Sequence, residues 1–136
     1  MGGWQEEVWV SYLELAKMQP SLNSYLRVYE MRPIRAEPLC YLAAYLRTIG
    51  RIKQGYPFAL AASNIPRAKD ELLFVDEDVY TWKSLDELGV SGYWVEQYQV
   101  SLDACEKLLM SPHLPNEHRP RIEDNRRYCL IRLGKI

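Results

Sequence analysis

Leu39-Cys40-Tyr41-Leu42-Ala43-Ala44-Tyr45-Leu46 and Leu85-Asp86-Glu87-Leu88-Gly89-Val90-Ser91-Gly92 decide the reading of this chain. In both stretches a Leu stands first, a second Leu three positions on, and a small residue directly after it. Apolar residues at i, i+3, i+4 and i+7 mark one face of a helix. Ala43 and Gly89 take the small position, where two helices approach closely. The helices that follow also correspond. Gly55, Ala59 and Ala62 align with Ser101, Cys105 and Leu108, and the two units end at Pro66 and Pro112. The offset is about 46 residues throughout. The sequence therefore repeats one helix pair.

Working outward, helical spacing continues along almost the whole chain. A first helix is predicted over 6–18, ended by Pro20, and Ser21 caps a second that runs to about Met31. A third starts near Ala36, takes Pro38 in its first turn and ends in a left-handed cap at Gly50. A short fourth covers about 52–63, weakened in its first half by Gly55 and Pro57. Residues 63–74 form one long irregular stretch. Its end, Leu72-Leu73-Phe74-Val75, is too apolar for a solvated tip and is expected to fold back onto the helices. Asp76-Glu77-Asp78 reads as the acidic start of a fifth helix over about 77–95, with Trp82, Leu85, Leu88 and Val95 inward. A sixth is predicted over about 99–110. A seventh, capped by Asn116 and ended by Gly134, carries Ile122, Tyr128, Cys129, Ile131 and Leu133 on one side.

The pattern of large, Leu, small and large residues, then small residues, then Pro, is that of a tetratricopeptide repeat. The usual period is about 34 residues. The excess of roughly a dozen here fits the 63–74 insertion, and the first two helices make a weaker third unit with a period near 34 to the next. One helix pair cannot bury its apolar face alone, and stacking supplies the core. The expected fold is all-α: a tetratricopeptide-like antiparallel helix-pair superhelix of about seven helices, three pairs plus a capping helix. It is expected to be a single domain over 1–136.

Three blocks resemble something narrower. Arg32-Pro33-Ile34-Arg35-Ala36-Glu37-Pro38-Leu39 is similar to a signature of the helical-repeat region attached to bacterial and viral family 2 glycosyltransferases. Residues 73–88, Leu-Phe-Val-Asp-Glu-Asp-Val-Tyr-Thr-Trp-Lys-Ser-Leu-Asp-Glu-Leu, resemble its second signature. Leu108-Leu109-Met110-Ser111-Pro112-His113-Leu114-Pro115, followed by Arg119-Pro120-Arg121-Ile122, resembles its third. The resemblance covers about Glu6 to Tyr128. It implies a repeat region beside a separate sugar-transfer domain of α/β fold, of which this chain is the accessory region or a fragment. This chain has no strand-rich half and no Gly-rich phosphate loop, so the repeats imply binding or assembly.

Composition narrows the rest. Over 136 residues, 17 Lys and Arg meet 18 Asp and Glu, for a net charge of -1. That balance argues against nucleic acid, whose phosphates call for a basic surface. No apolar run approaches the roughly 18–20 residues of a membrane span. The N-terminus lacks the basic start and apolar stretch of a secretory leader. Cys40, Cys105 and Cys129 lie far apart in apolar helical stretches, without a C-x-x-C pair, which suits buried thiols in the cytoplasm. Ten Tyr and four Trp against two Phe favour surfaces that are partly wet.

Chemistry finds little support. Asp76-Glu77-Asp78 contains the D-x-D of metal-dependent sugar transferases, but no strand precedes it, and capping a helix explains it better. His113 and His118 have no Cys partners for zinc. No G-x-S-x-G is present. No catalytic residue, cofactor or metal is expected. Arg119, Arg121, Arg126, Arg127 and Arg132 make the last helix basic; Glu117, Glu123 and Asp124 dilute that charge, and Arg119 or Arg121 can pair with the acidic start of the fifth helix.

The expected function is protein–protein interaction through a groove lined by the first helix of each pair. Leu13 and Glu14 are assigned to it from the first helix, Cys40, Ala44 and Arg47 from the third, and Asp86, Val90, Tyr93 and Trp94 from the fifth. Tyr93 and Trp94 read either as anchors for a protein or peptide partner or as packing against the last helix. A homodimer through the N-terminal helix pair, using Trp4, Val8 and Tyr12, is a further expectation.

Overall fold

Prolines, serine caps and left-handed residues set the ends of the helices. The computed structural model describes residues 5–136. Among them are seven α-helices and no strand: α1 Glu6–Met18, α2 Leu22–Met31, α3 Glu37–Thr48, α4 Ile52–Ser63, α5 Ser84–Trp94, α6 Tyr98–Met110 and α7 Arg119–Arg132. Ser21 caps α2 through a reciprocal bond with Ser24. Pro38 and Pro120 stand in the first turns of α3 and α7, where a missing N–H is harmless. Pro57 lies inside α4, but on its exposed side, and the helix runs through it.

The repeat is written in the main chain. At the end of α3, Arg51 N–H donates to the Leu46 carbonyl at 2.7 Å and Gly50 N–H to Arg47 at 3.2 Å. At the end of α5, Gln97 N–H donates to Gly92 at 2.9 Å and Glu96 N–H to Tyr93 at 3.1 Å. Gly50 and Glu96 are left-handed, at φ 82° and 64°. These are two Schellman caps at the same offset as the sequence repeat. α7 ends the same way at Gly134, φ 70°. The α1–α2 turn holds no left-handed residue, so the first pair diverges from the other two.

Each helix packs chiefly on its neighbours in sequence, and α5 also touches α3 and α7. Trp9, Leu13 and Ala16 of α1 join Tyr25 and Val28 of α2 and Leu42 and Leu46 of α3 in one core cluster. The Trp9 indole N–H donates to the Val28 carbonyl at 2.9 Å. Ala43, Ala59, Leu88 and Ala104 fill the centre, and Trp82, Cys105, Leu108, Leu114 and Ile122 the far end. In α7 only part of the predicted apolar side is inward. Ile122 and Cys129 are buried, but Tyr128 and Ile131 are exposed.

The insertion after α4 departs from expectation. Leu72 and Phe74 are 77% and 79% exposed, while the acidic Glu71 is buried. Charge, not apolar contact, holds this segment. Arg32 hydrogen-bonds both Glu71 oxygens. Arg35, fully buried, donates to Glu71 at 3.2 Å and to both oxygens of Glu37 at 3.1 and 3.0 Å. Glu37 also accepts from the Tyr80 hydroxyl at 2.7 Å and from Asp76 N–H at 3.2 Å. The Arg35 guanidinium lies 4.5 Å from the Trp9 ring centre. A buried charge is tolerable when paired and fully hydrogen-bonded, and this network meets both conditions.

Glu77 and Asp78 open the helical run that leads into α5, as expected, and Asp76 and Glu77 take a second role. Asp76 accepts the Tyr41 hydroxyl at 2.6 Å and Glu77 takes Arg67, so these two carboxylates tie the insertion down, and no side chain caps the helix start. Next come a π-helical turn, Val79–Lys83, and then α5. Such turns are often found at functional sites.

Candidate binding cleft

The inner helices α3 and α5 stand side by side, and the start of α7 closes the row. A cleft of about 550 Å³ runs between them. α3 contributes Cys40, Tyr41, Ala44 and Arg47; α5 and its π-helical turn contribute Trp82, Lys83, Asp86, Glu87 and Val90; His118 and Arg121 close the α7 side. Cys40/Asp86 and Ala44/Val90 are equivalent positions of the two repeats, so the repeat itself builds both walls.

The charges in the cleft are already matched. Arg47 makes two 3.0 Å bonds to Glu87, and Arg121 makes two of 2.9 Å to Asp86. Lys83 lies 3.7 Å from Asp76. Glu87 and Asp86 raise the pKa of their arginine partners chiefly through these bonds. Two-pronged pairs fix side-chain geometry more than they add stability at such partly exposed sites. His118 stacks near Trp82, ring centres 5.0 Å apart, and its Nδ1 is 3.2 Å from Arg121. The cleft is thus a near-neutral trough with an apolar floor of Ala44, Val90 and Trp82.

Val90 joins this trough to a second pocket of about 240 Å³, lined by Val90, Tyr93, Trp94, Asn125 and Tyr128. Trp94 meets Tyr93 edge to face at 5.9 Å, and Tyr93 lies 6.4 Å from Tyr128 at 54°. Both alternatives for Tyr93 hold at once. It packs on α7, where Arg132 Nε donates to its hydroxyl at 3.3 Å, and it lines the pocket. Trp94 remains 54% exposed.

Seven of the nine groove residues assigned from sequence therefore line one continuous face: Cys40, Ala44, Arg47, Asp86, Val90, Tyr93 and Trp94. Leu13 and Glu14 do not. Leu13 is 3% exposed, in the core with Trp9. Glu14 is solvent-facing and pairs with Lys17 at 3.4 Å. The reason is the diverged first pair, whose Trp9-Leu13-Ala16 row is spent on packing against α2 and α3. Tyr41, Trp82, Lys83, Glu87, His118, Arg121, Asn125 and Tyr128 were not assigned to it. Lys83 and Glu87 were legible, since 83, 86, 87 and 90 form one helical row. Val8 and Tyr12, assigned to a dimer contact, are 37% and 40% exposed; Trp4 lies outside the described residues.

The thiols are held protonated: burial pushes Cys40 and Cys105 up to about 12 and raises Cys129. No group of three or more His, Cys, Asp or Glu among the described residues is arranged to hold a metal ion. No described helix is long and apolar enough to cross a membrane. Compared with protein-family models, curated proteins and solved structures, the chain matches none of them.

Proposed function

We propose that this chain is a non-catalytic helical-repeat domain that holds a protein or peptide segment along the shared face of α3, α5 and α7. The observation that carries this reading is the coincidence of repeat and cleft. Positions 40, 44 and 47 of one unit, and 86, 90 and 93 of the next, line one face. Helix-pair repeats commonly use such a face to bind extended partners. The matched ion pairs favour a segment of mixed or low charge over nucleic acid. The buried thiols suit the cytoplasm as the place of action, and the reading calls for no cofactor.

The test is a peptide selection. Random displayed peptides are enriched on the wild-type domain, then offered to Ala44→Arg and Val90→Arg, which fill the trough. Peptides lost on both variants, with melting curves unchanged, support the reading. Enriched peptides that bind both variants equally place the partner elsewhere and overturn it.

A second reading makes the chain an accessory region of a family 2 glycosyltransferase. What favours it is that the three resembling blocks meet in space. Arg35 of the first reaches the carbonyls of Leu73 and Phe74 in the second, and Arg121 of the third bonds Asp86 of the second. Calorimetry with nucleotide sugars separates the two readings, since tight binding by this chain alone would sink the pure scaffold. The α1 dimer is checked by light scattering at high micromolar concentration, where a monomer counts against it.

A further inference from the structure

We infer that the pocket of Val90, Tyr93, Trp94, Asn125 and Tyr128 takes a proline-containing peptide segment in the extended polyproline conformation. The inference rests on the peptide reading of the groove and names the partner's chemistry at one end of it.

The lining sets the terms. Three aromatic side chains and a valine surround a pocket open to solvent. The rings are splayed rather than stacked, at 89° between Tyr93 and Trp94 and 54° between Tyr93 and Tyr128. Splayed rings leave faces on which a flat, apolar pyrrolidine can lie. Each polar group around them can donate a hydrogen bond. The Trp94 indole N–H, the Asn125 carboxamide and the Tyr128 hydroxyl have no hydrogen-bond partner among the described residues, although Tyr93 has one in Arg132.

A site with apolar ring faces and unspent donors fits a ligand with apolar rings and unspent acceptors. A helical or strand segment has its carbonyls bonded within its own secondary structure. A polyproline helix has no internal hydrogen bonds, so its carbonyls remain exposed. Aromatic-lined grooves recognise such segments, at low ordering cost because the conformation is preformed.

The charges nearby disfavour the other guest of aromatic pockets, a cation. Arg127 lies 5.9 Å from the Tyr128 ring centre, and Arg132 lies 6.0 and 5.9 Å from those of Tyr93 and Tyr98. Two of the three rings that would cage an ammonium group, Tyr93 and Tyr128, thus already carry guanidinium neighbours. Continuity through Val90 lets the rest of the peptide run into the trough of α3 and α5.

The probe is a capped decaproline peptide, with a Gly/Ser peptide of equal length and a linear malto-oligosaccharide as the other arms. The readout is the tryptophan indole N–H signals in nitrogen-15 NMR, with that of Trp94 assigned by its loss in Trp94→Phe. Decaproline should shift the Trp94 signal saturably, and Tyr128→Ala should weaken binding at least about tenfold with an unchanged melting curve. No shift with decaproline, an equal affinity in Tyr128→Ala, or a shift produced only by the oligosaccharide would each overturn the inference. The selected peptides separate this from the groove reading. If they lack proline, tolerate Tyr128→Ala and are lost on Ala44→Arg, the groove stands and the proline pocket falls. If they ignore Ala44→Arg and Val90→Arg as well, the groove falls with it.

Discussion

The Ser101 hydroxyl donates to the Gly89 carbonyl at 2.6 Å, across the contact between α5 and α6. One repeat earlier, Gly55 stands where Ser101 stands and Ala43 where Gly89 stands, and a methyl group on Gly55 would lie 3.3 Å from the Ala43 carbonyl oxygen. The two helix pairs meet at equivalent small residues but swap which helix carries the glycine. Close approach is common to both units, and the hydrogen bond belongs to the second.

That difference orders two substitutions. Alanine is favoured over glycine inside a helix by about 1 kcal/mol. At Gly89 a methyl group meets the Cys105 sulfur at 3.5 Å, the Ala104 methyl at 3.8 Å and the Ser101 carbonyl oxygen at 4.0 Å, all ordinary contacts, so Gly89→Ala should raise stability by nearly that amount. At Gly55 the opposing atom is backbone and closer, so the gain should vanish or reverse. Urea denaturation of the two variants gives the comparison. Equal gains would mean that the α3–α4 approach is looser than described.

The caps at positions 50 and 96 yield a second pair. Both residues are left-handed, but only Gly50 avoids the steric cost that a side chain meets there. Glu96→Gly should stabilise by about 1 kcal/mol, and Gly50→Ala should destabilise by a similar amount. Thermal melts of both variants check the opposite signs.

These positions also show what the sequence could and could not announce. Ala43, Gly89, Gly50 and the prolines have local meanings, so the repeat, all seven helices and seven groove positions were legible. The buried network was not. Glu71 stands 36 positions from Arg35, beside which Glu37 lies, and only the fold shows that they are partners. The same blindness misplaced Leu72 and Phe74, whose apolar character predicted burial while Glu71 beside them took the inward place. Leu13 failed for another reason: the first pair turns without a left-handed cap, so the alignment that located Cys40 and Asp86 did not extend to α1.

Glu71 gives a pH test. Hydrogen bonds from Arg32, opposed by burial and helped by Arg35, hold its carboxyl below the ordinary 4.5. The unfolded chain therefore takes up the proton first. The stabilisation is full above about pH 4.5 and is lost as pH falls through the folded value. Glu71→Gln leaves two guanidinium groups facing a neutral amide, and breaking a buried pair costs about 3–5 kcal/mol. The gap between wild type and variant should be widest near neutral pH and shrink below about pH 4.5. A gap independent of pH would show that the carboxylate charge is not what pins the insertion.

Trp82 lines the trough and Trp94 the pocket that continues it, yet they should behave oppositely on truncation. Trp82 is 9% exposed, anchors the cluster of Cys105, Leu108, Leu114 and Ile122, and also forms part of the cleft floor. Replacing it by alanine removes a buried aromatic side chain, at a cost of about 3–5 kcal/mol, enough to unfold a domain of modest stability. Trp94 is 54% exposed, and its edge contact with Tyr93 is worth about 1 kcal/mol. Trp94→Ala should therefore melt close to wild type and lose affinity for peptides selected on the groove. Circular dichroism and a binding titration on the same two proteins separate the roles. If Trp94→Ala unfolds the domain, that residue belongs to the core. If it folds and binds unchanged, the partner does not reach the α7 end of the face.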